Sequence, residues 1–211
     1  MNGKMKKPSQ RSIYVLLTDT GTAFTRLIKG FTKAPYNHAS LAFDDELNEV
    51  FSFGRKEAHN PFIGGFVRED IYRGTFRHFP NTRCLLLRLP VTEQQHANSV
   101  ACIRHFQRNQ DAYRYHLIGL LGVLLQREIK SDSAYFCSQF VAEALKSSGV
   151  PLWDRPSGLV TPNDFKEHAQ FEFVYEGMLY DYQLIDKEKL GPVPPHPLYM
   201  ALRTSLSKLT V

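Results

Sequence analysis

The sequence predicts an α+β domain in which a small antiparallel sheet packs against a helix bearing a cysteine. Three observations carry that expectation. Short apolar and β-branched runs at 12–17, 38–43, 49–53 and 83–89 are bounded by turn residues, as strands are. Two helices mark their own ends, one with a capping box and one with a closing glycine. No internal repeat, low-complexity tract or linker divides the chain, so one domain is expected.

Taken in order, Ser12 to Leu17 forms a first strand, and Thr18-Asp19-Thr20-Gly21-Thr22 supplies turn and N-cap chemistry. Ala23, Leu27, Ile28 and Phe31 then recur as the apolar stripe of a helix that ends at Ala34-Pro35. His38–Phe43 and Glu49–Phe53 are strands joined by the polar loop 44–48, the clearest hairpin in the chain. Gly54 to Pro80, with Gly64, Gly65, Gly74 and Pro61, reads as loops with short strands.

Arg83–Leu89 is a further strand, and Thr92 with Gln95 opens a helix from about Glu93 to Gln107. Tyr115–Leu125 is apolar on nearly all sides and reads as a short core helix, with a lipid-touching segment as the alternative. Another helix runs from about Tyr135 to Ser148, closed by Gly149 and Pro151. Thr161-Pro162-Asn163-Asp164 starts a short helix, and Phe171–Tyr175 and Leu179–Tyr182 are the last strands. The expected organisation is a basic tail over 1–11, one folded domain over 12–185 and a Pro-rich extension over 186–211.

Composition narrows the function classes. The chain has 211 residues, 43% hydrophobic and 22% charged, with no apolar run of about 20 residues to span a membrane. The net charge of +5 is spread along the chain, so nucleic acid is not an expected partner. Three cysteines without close pairing fit a reducing compartment, and no export signal precedes the first strand; a cytoplasmic location is expected. No Cys-x-x-Cys, His-Glu-x-x-His, phosphate loop or dinucleotide fingerprint is present, so neither metal nor cofactor is expected.

Of the cysteines, Cys137 alone falls in the first turn of a well-signalled helix, where free amides and the helix dipole favour thiolate. It also shares a helical face with Phe140, Val141, Ala144 and Leu145, so a small core residue is the competing reading. Cys84 in a strand and Cys102 within a helix are better explained as packing. Among eight histidines, His38 stands apart because it opens a strand directly after Pro35-Tyr36-Asn37, where a ring can be held rigidly.

Three segments together, Asn37-His38-Ala39-Ser40-Leu41-Ala42, Val50-Phe51-Ser52-Phe53-Gly54 and Tyr135-Phe136-Cys137-Ser138-Gln139-Phe140-Val141, resemble the circularly permuted papain-like amidases of the NlpC superfamily. The Thr161-Pro162-x-Asp164 helix start resembles the YiiX-like branch of that group. The resemblance covers roughly residues 12 to 170 and implies a permuted papain-like fold with Cys137 as nucleophile and His38 as base. It places Ser52 at the third catalytic position, with Glu49 the nearest carboxylate but on the opposite side of its strand. Tyr135 falls where relatives carry an aromatic that can offer its hydroxyl to an oxyanion, with a core aromatic as the alternative.

The implied chemistry is hydrolysis of an amide or ester through an acyl-enzyme, on a peptide or amino-acid conjugate. Two other readings stay open: a lipid acyltransferase or thioesterase of the lecithin retinol acyltransferase type, and a silent peptide-binding module. Arg55, Arg68, Arg73 and Arg77, spaced by aromatics and glycines, are candidate contacts for an anionic substrate group, or else solvated loop residues. The sequence is silent on oligomeric state.

Overall fold

The computed structural model describes residues 10–21, 34–57, 60–115 and 134–194. Its strands are β1 (Gln10–Asp19), β2 (His38–Ala42), β3 (Val50–Glu57), β4 (Asn60–Glu69), β5 (Arg83–Thr92), β6 (Arg114–Tyr115), β7 (Ala134–Tyr135) and β8 (Glu172–Met178). Six of them form one sheet in the order β4-β3-β2-β1-β5-β8, every neighbour antiparallel, while β6 and β7 form a short parallel pair. The α-helices are α1 (Glu93–Arg108), α2 (Cys137–Ser147) and α3 (Pro162–Glu167). Mixed α and β with an antiparallel sheet is the class expected.

The sheet is buried on both faces. Ile13, Val15 and Leu17 of β1 join Ala39, Leu41, Phe51 and Phe53 in one cluster, closed by Ile103 and Phe106 of α1 and Phe140, Val141 and Leu145 of α2. Leu16, Ala42, Val50 and Leu86 point the other way, onto Ile71, Phe76, Leu179 and Tyr182. That two-sided burial explains why β1 is a nearly unbroken apolar run rather than an alternating one.

Local signals set the helix ends. Thr92 and Gln95 form the reciprocal capping box of α1, and Thr161 with Asp164 forms that of α3. At the end of α2, Gly149 adopts φ +84°, Val150 N–H donates to Leu145 O and Gly149 N–H to Lys146 O, the pair of bonds that closes a helix on a left-handed glycine. The helix itself begins at Cys137, two residues later than the sequence suggests, because Tyr135 is drawn into β7.

The largest departure lies in the stretch from Gly54 to Pro80. Where loops with short strands are expected, it holds the end of β3 and the whole of β4, a long hairpin in which Val50 pairs with Glu69 and Gly54 with Gly65, and only the part after Glu69 is turns and a 3₁₀ helix. Pro61 and the Gly64-Gly65 pair are tolerated because β4 is an edge strand of the main sheet. Leu179–Asp181 is a 3₁₀ turn, not a strand. At the start of the described chain, Gln10 and Arg11, placed in the expected tail, belong to β1, and Arg11 pairs with Glu93 at 3.2 Å. The described part of the C-terminal extension lies against the body, with Leu190 packed on the second cluster and Gly191 O accepting from Arg77. The expected helix around Ala23–Phe31 and nearly all of the apolar stretch Tyr115–Leu125 lie outside the described residues.

Phe53 is fully buried, and its ring centroid lies within 6.0 Å of those of Phe66, Phe106, Tyr113, Tyr135 and Phe140. Phe53→Ala should cost about 3–5 kcal/mol, whereas Phe173→Ala, at a residue 67% exposed, should stay within about 0.5 kcal/mol. Chemical denaturation of both variants checks the contrast.

Candidate active site

Phe136 caps α2 in an extended conformation without a side-chain cap, so the first-turn amides of the helix have no partner within it. Cys137 is the first helical residue and is 5% exposed. The amides of Ser138 and Ala39 donate to its sulfur, which lies 3.9 Å from the carbonyl oxygen of Asn37. The start of β2 therefore lies against the first turn of the cysteine helix. Ser138 Oγ donates to Val160 O at 2.7 Å and ties that turn to the next segment.

His38 opens β2 and hydrogen-bonds Cys137. Its Nε2 lies 2.8 Å from Glu69 Oε1, which leaves Nδ1 as the ring nitrogen for the thiol. A carboxylate only accepts, so Nε2 carries a hydrogen. Glu69 is the last residue of β4 and makes two more hydrogen bonds: Ser52 Oγ donates to Oε1 and Ser40 Oγ to Oε2, each at 2.7 Å. Side-chain alternation along β2 and β3, with Val50 opposite Glu69, puts His38, Ser40, Ser52 and Glu69 on one face of the sheet.

Electrostatics link the three ionisable groups. Burial opposes the charged imidazole, but the Glu69 carboxylate and the bonds to Cys137 and Glu69 outweigh it and raise His38 to about 10. Burial likewise opposes ionised Glu69, yet His38 and the two serines hold its carboxyl below the ordinary value. Cys137 is pushed up by burial and pulled down further by His38 and the amides of Ala39 and Ser138, ending below the usual thiol value. Both shifts run in the direction that favours the proton on the imidazole over the thiol. Cys84, by contrast, is pushed up to about 12 by burial and Glu176, and Cys102 is raised by burial.

The third group beside the ring is thus a carboxylate that sequence reasoning missed. Ser52 lies at the site, but its hydroxyl goes to Glu69, and Glu69 is what bonds Nε2. The available signal was the run Phe66-Val67-Arg68-Glu69 at the end of a strand, obscured by the glycines before it. Tyr135 packs its ring against Phe53, Phe106 and Tyr113, as a core aromatic does. Gly54 has a steric reason: a Cβ there would sit 3.1 Å from Ser52 Oγ and 3.3 Å from His38 Cε1.

The four arginines are not gathered at the thiol. Arg77 is buried, lies 5.2 Å from the Tyr180 ring and donates to Gly191 O, which places its side chain in the packing of that segment. Arg55 lies over Phe79, Arg68 donates to Asn48 O and lines a cavity of about 350 Å³ beside Glu69, and Arg73 is exposed. Among the described residues no group of three metal-ligating side chains is placed to hold an ion, and no helix is long and apolar enough to cross a membrane. No protein-family model matches the chain, and no curated protein matches it.

The pair His38–Glu69 makes stability depend on pH with a definite sign. A histidine raised above its ordinary 6.5 adds stability fully present below that value and lost as pH rises through about 10. A lowered Glu69 adds stability present above its ordinary 4.5 and lost as pH falls through its folded value. Glu69→Gln should therefore destabilise most between pH 4.5 and 6.5. Denaturant melts of both proteins should show the gap narrowing towards pH 10.

Proposed function

We propose that this protein is a cysteine hydrolase that cleaves an amide or ester bond through an acyl-enzyme, with Cys137 as nucleophile, His38 as proton carrier and Glu69 as the orienting carboxylate. The observation that carries the reading is the single buried chain of contacts from the Cys137 thiol through the imidazole to Glu69. A thiol with a lowered pKa at a helix N-terminus, beside a histidine oriented by a third group, is the arrangement that activates a nucleophile.

In the proposed reaction the Cys137 thiolate attacks the carbonyl carbon and the π electrons move onto oxygen, where first-turn amides of α2, which have no partner within the helix, can offer hydrogen bonds. As the tetrahedral species collapses, the imidazolium gives its proton to the leaving amine or alcohol. His38 then takes a proton from water, which attacks the thioester, and expulsion of the thiolate releases the acid. Glu69 keeps the imidazolium charge stable and the ring in plane throughout.

The order His38, Glu69, Cys137 along the chain, with the cysteine helix late, supports the permuted papain-like reading and its YiiX-like branch. Peptides or amino-acid conjugates are the substrates this reading favours.

Intact mass after incubation with a panel of activated peptide and lipid esters tests the proposal. A covalent acyl adduct on Cys137 is expected, absent in Cys137→Ala and formed about 10²–10⁴-fold more slowly in His38→Ala. The reading is lost if the adduct forms equally well on Cys84 or Cys102. The identity of the best ester separates a peptidase from a lipid acyltransferase.

A further inference from the structure

The Glu69 carboxylate is 12% exposed and the His38 ring 20%, so water has little access to either. A buried carboxylate must find donors within the protein or give up its charge. Its Oε1 accepts from His38 Nε2 and Ser52 Oγ, and its Oε2 accepts from Ser40 Oγ. Ser40 and Ser52 are both fully buried, and each hydroxyl has one hydrogen, which it spends on Glu69.

The two serines come from adjacent strands, one on each side of the β2–β3 pairing, and they hold the two oxygens separately. Bonds to both oxygens fix the carboxylate against rotation as well as against protonation. Alanine would fit either position with the loss of one atom, and it would leave a buried acceptor short of a donor.

We infer that Ser40 and Ser52 are positioning residues for the reaction proposed above, forming a two-hydroxyl clamp that holds Glu69 ionised and aimed at His38 Nε2. The clamp rests on that reading of the site and extends it: the hydroxyl hydrogens of both serines go to Glu69, so the serines act through it.

Among the described residues, the ionisable groups facing the clamp are those of the site itself: His38 from β2, Glu69 from β4 and Cys137 from α2. β3 faces it with Ser52 and Gly54. From β1, Asp19 accepts from Asn37 Nδ2 and Gly21 N. The neighbours of Glu69 along the chain look elsewhere, with Arg68 donating to Asn48 O and Asp70 accepting from the amides of Tyr72 and Arg73. Loss of a clamp hydroxyl therefore falls on Glu69 first: it takes up a proton at higher pH, His38 loses its counter-charge, and the thiol follows.

Site-resolved alkylation by iodoacetamide, measured on the full chain across pH 4 to 9, reads this without a substrate. A hydrogen bond to a charged group is worth roughly one to two pKa units. Ser40→Ala and Ser52→Ala should each raise the acid-side midpoint of Cys137 alkylation and slow it about tenfold at pH 6. Ser52→Thr, which keeps the hydroxyl, should retain the wild-type midpoint, and Glu69→Gln should exceed either alanine variant. If both alanine variants keep the wild-type midpoint while Glu69→Gln moves it, the clamp is wrong and the catalytic reading stands. If wild-type Cys137 reacts no faster than Cys84, the catalytic reading falls and the clamp falls with it. Thermal melts establish that each variant is folded; the two serines are tested separately, so one folded alanine variant suffices.

Discussion

A carboxylate inside a protein is tolerated only where donors surround it, and Glu69 sets that condition for this site. Its three hydrogen bonds come from residues on two other strands. They can be made only if β2, β3 and β4 keep their register, because a slip of one residue would turn Ser40, Ser52 or Glu69 to the opposite face. The hairpin that the sequence half concealed is therefore a condition of the proposed chemistry. The aromatic cluster around Phe53 supplies the other half of the constraint, since Phe53 faces the helical core between two residues, Ser52 and Gly54, that face the site.

Much of this could be read from the chain because the signals were local. The capping boxes at Thr92 and Thr161, the glycine at 149 and the polar loop between β2 and β3 each depend on residues a few positions apart. Cys137 and His38 were legible for the same reason, each marked by its own helix start or strand start. Glu69 was not. Its role depends on pairing with Val50 and on contacts 17, 29 and 31 residues away, and β4 carries Pro61, Gly64 and Gly65, which argue locally against a strand. Ser52 was placed in the right neighbourhood and given the wrong bond, because strand alternation fixes a face but not which of two polar side chains reaches the ring.

The arginines teach the complementary lesson. Spacing by aromatics and glycines suggested arginines set out in a loop, yet the aromatics are what bury the segment. Phe76 and Phe79 are core residues, and Arg77 between them is taken inside with Tyr180 against it. Its guanidinium donates through one nitrogen to the Gly191 carbonyl and lies against an aromatic ring, as a side chain drawn into the packing does.

The site joins two layers of the molecule that have separate cores. α2 is anchored in the cluster of Phe140, Val141 and Leu145, while Ala42 and Val50, on the face that carries His38 and Glu69, belong to the cluster closed by Ile71 and Leu179. The two meet at the start of β2, where the Ala39 amide donates to the sulfur, the Asn37 carbonyl lies 3.9 Å from it, and the side chain between them, His38, reaches it with its ring. Both kinds of contact, main-chain and side-chain, issue from the same three residues. A displacement of α2 along the sheet would thus change the thiol's amide donors and its imidazole together, which is why the first turn needs its own tether from Ser138 to Val160. Catalytic geometry tolerates little error, since about 1 Å of misplacement can cost 10²-fold in rate. Two cores converging on one short strand give that precision without requiring the strand itself to be long.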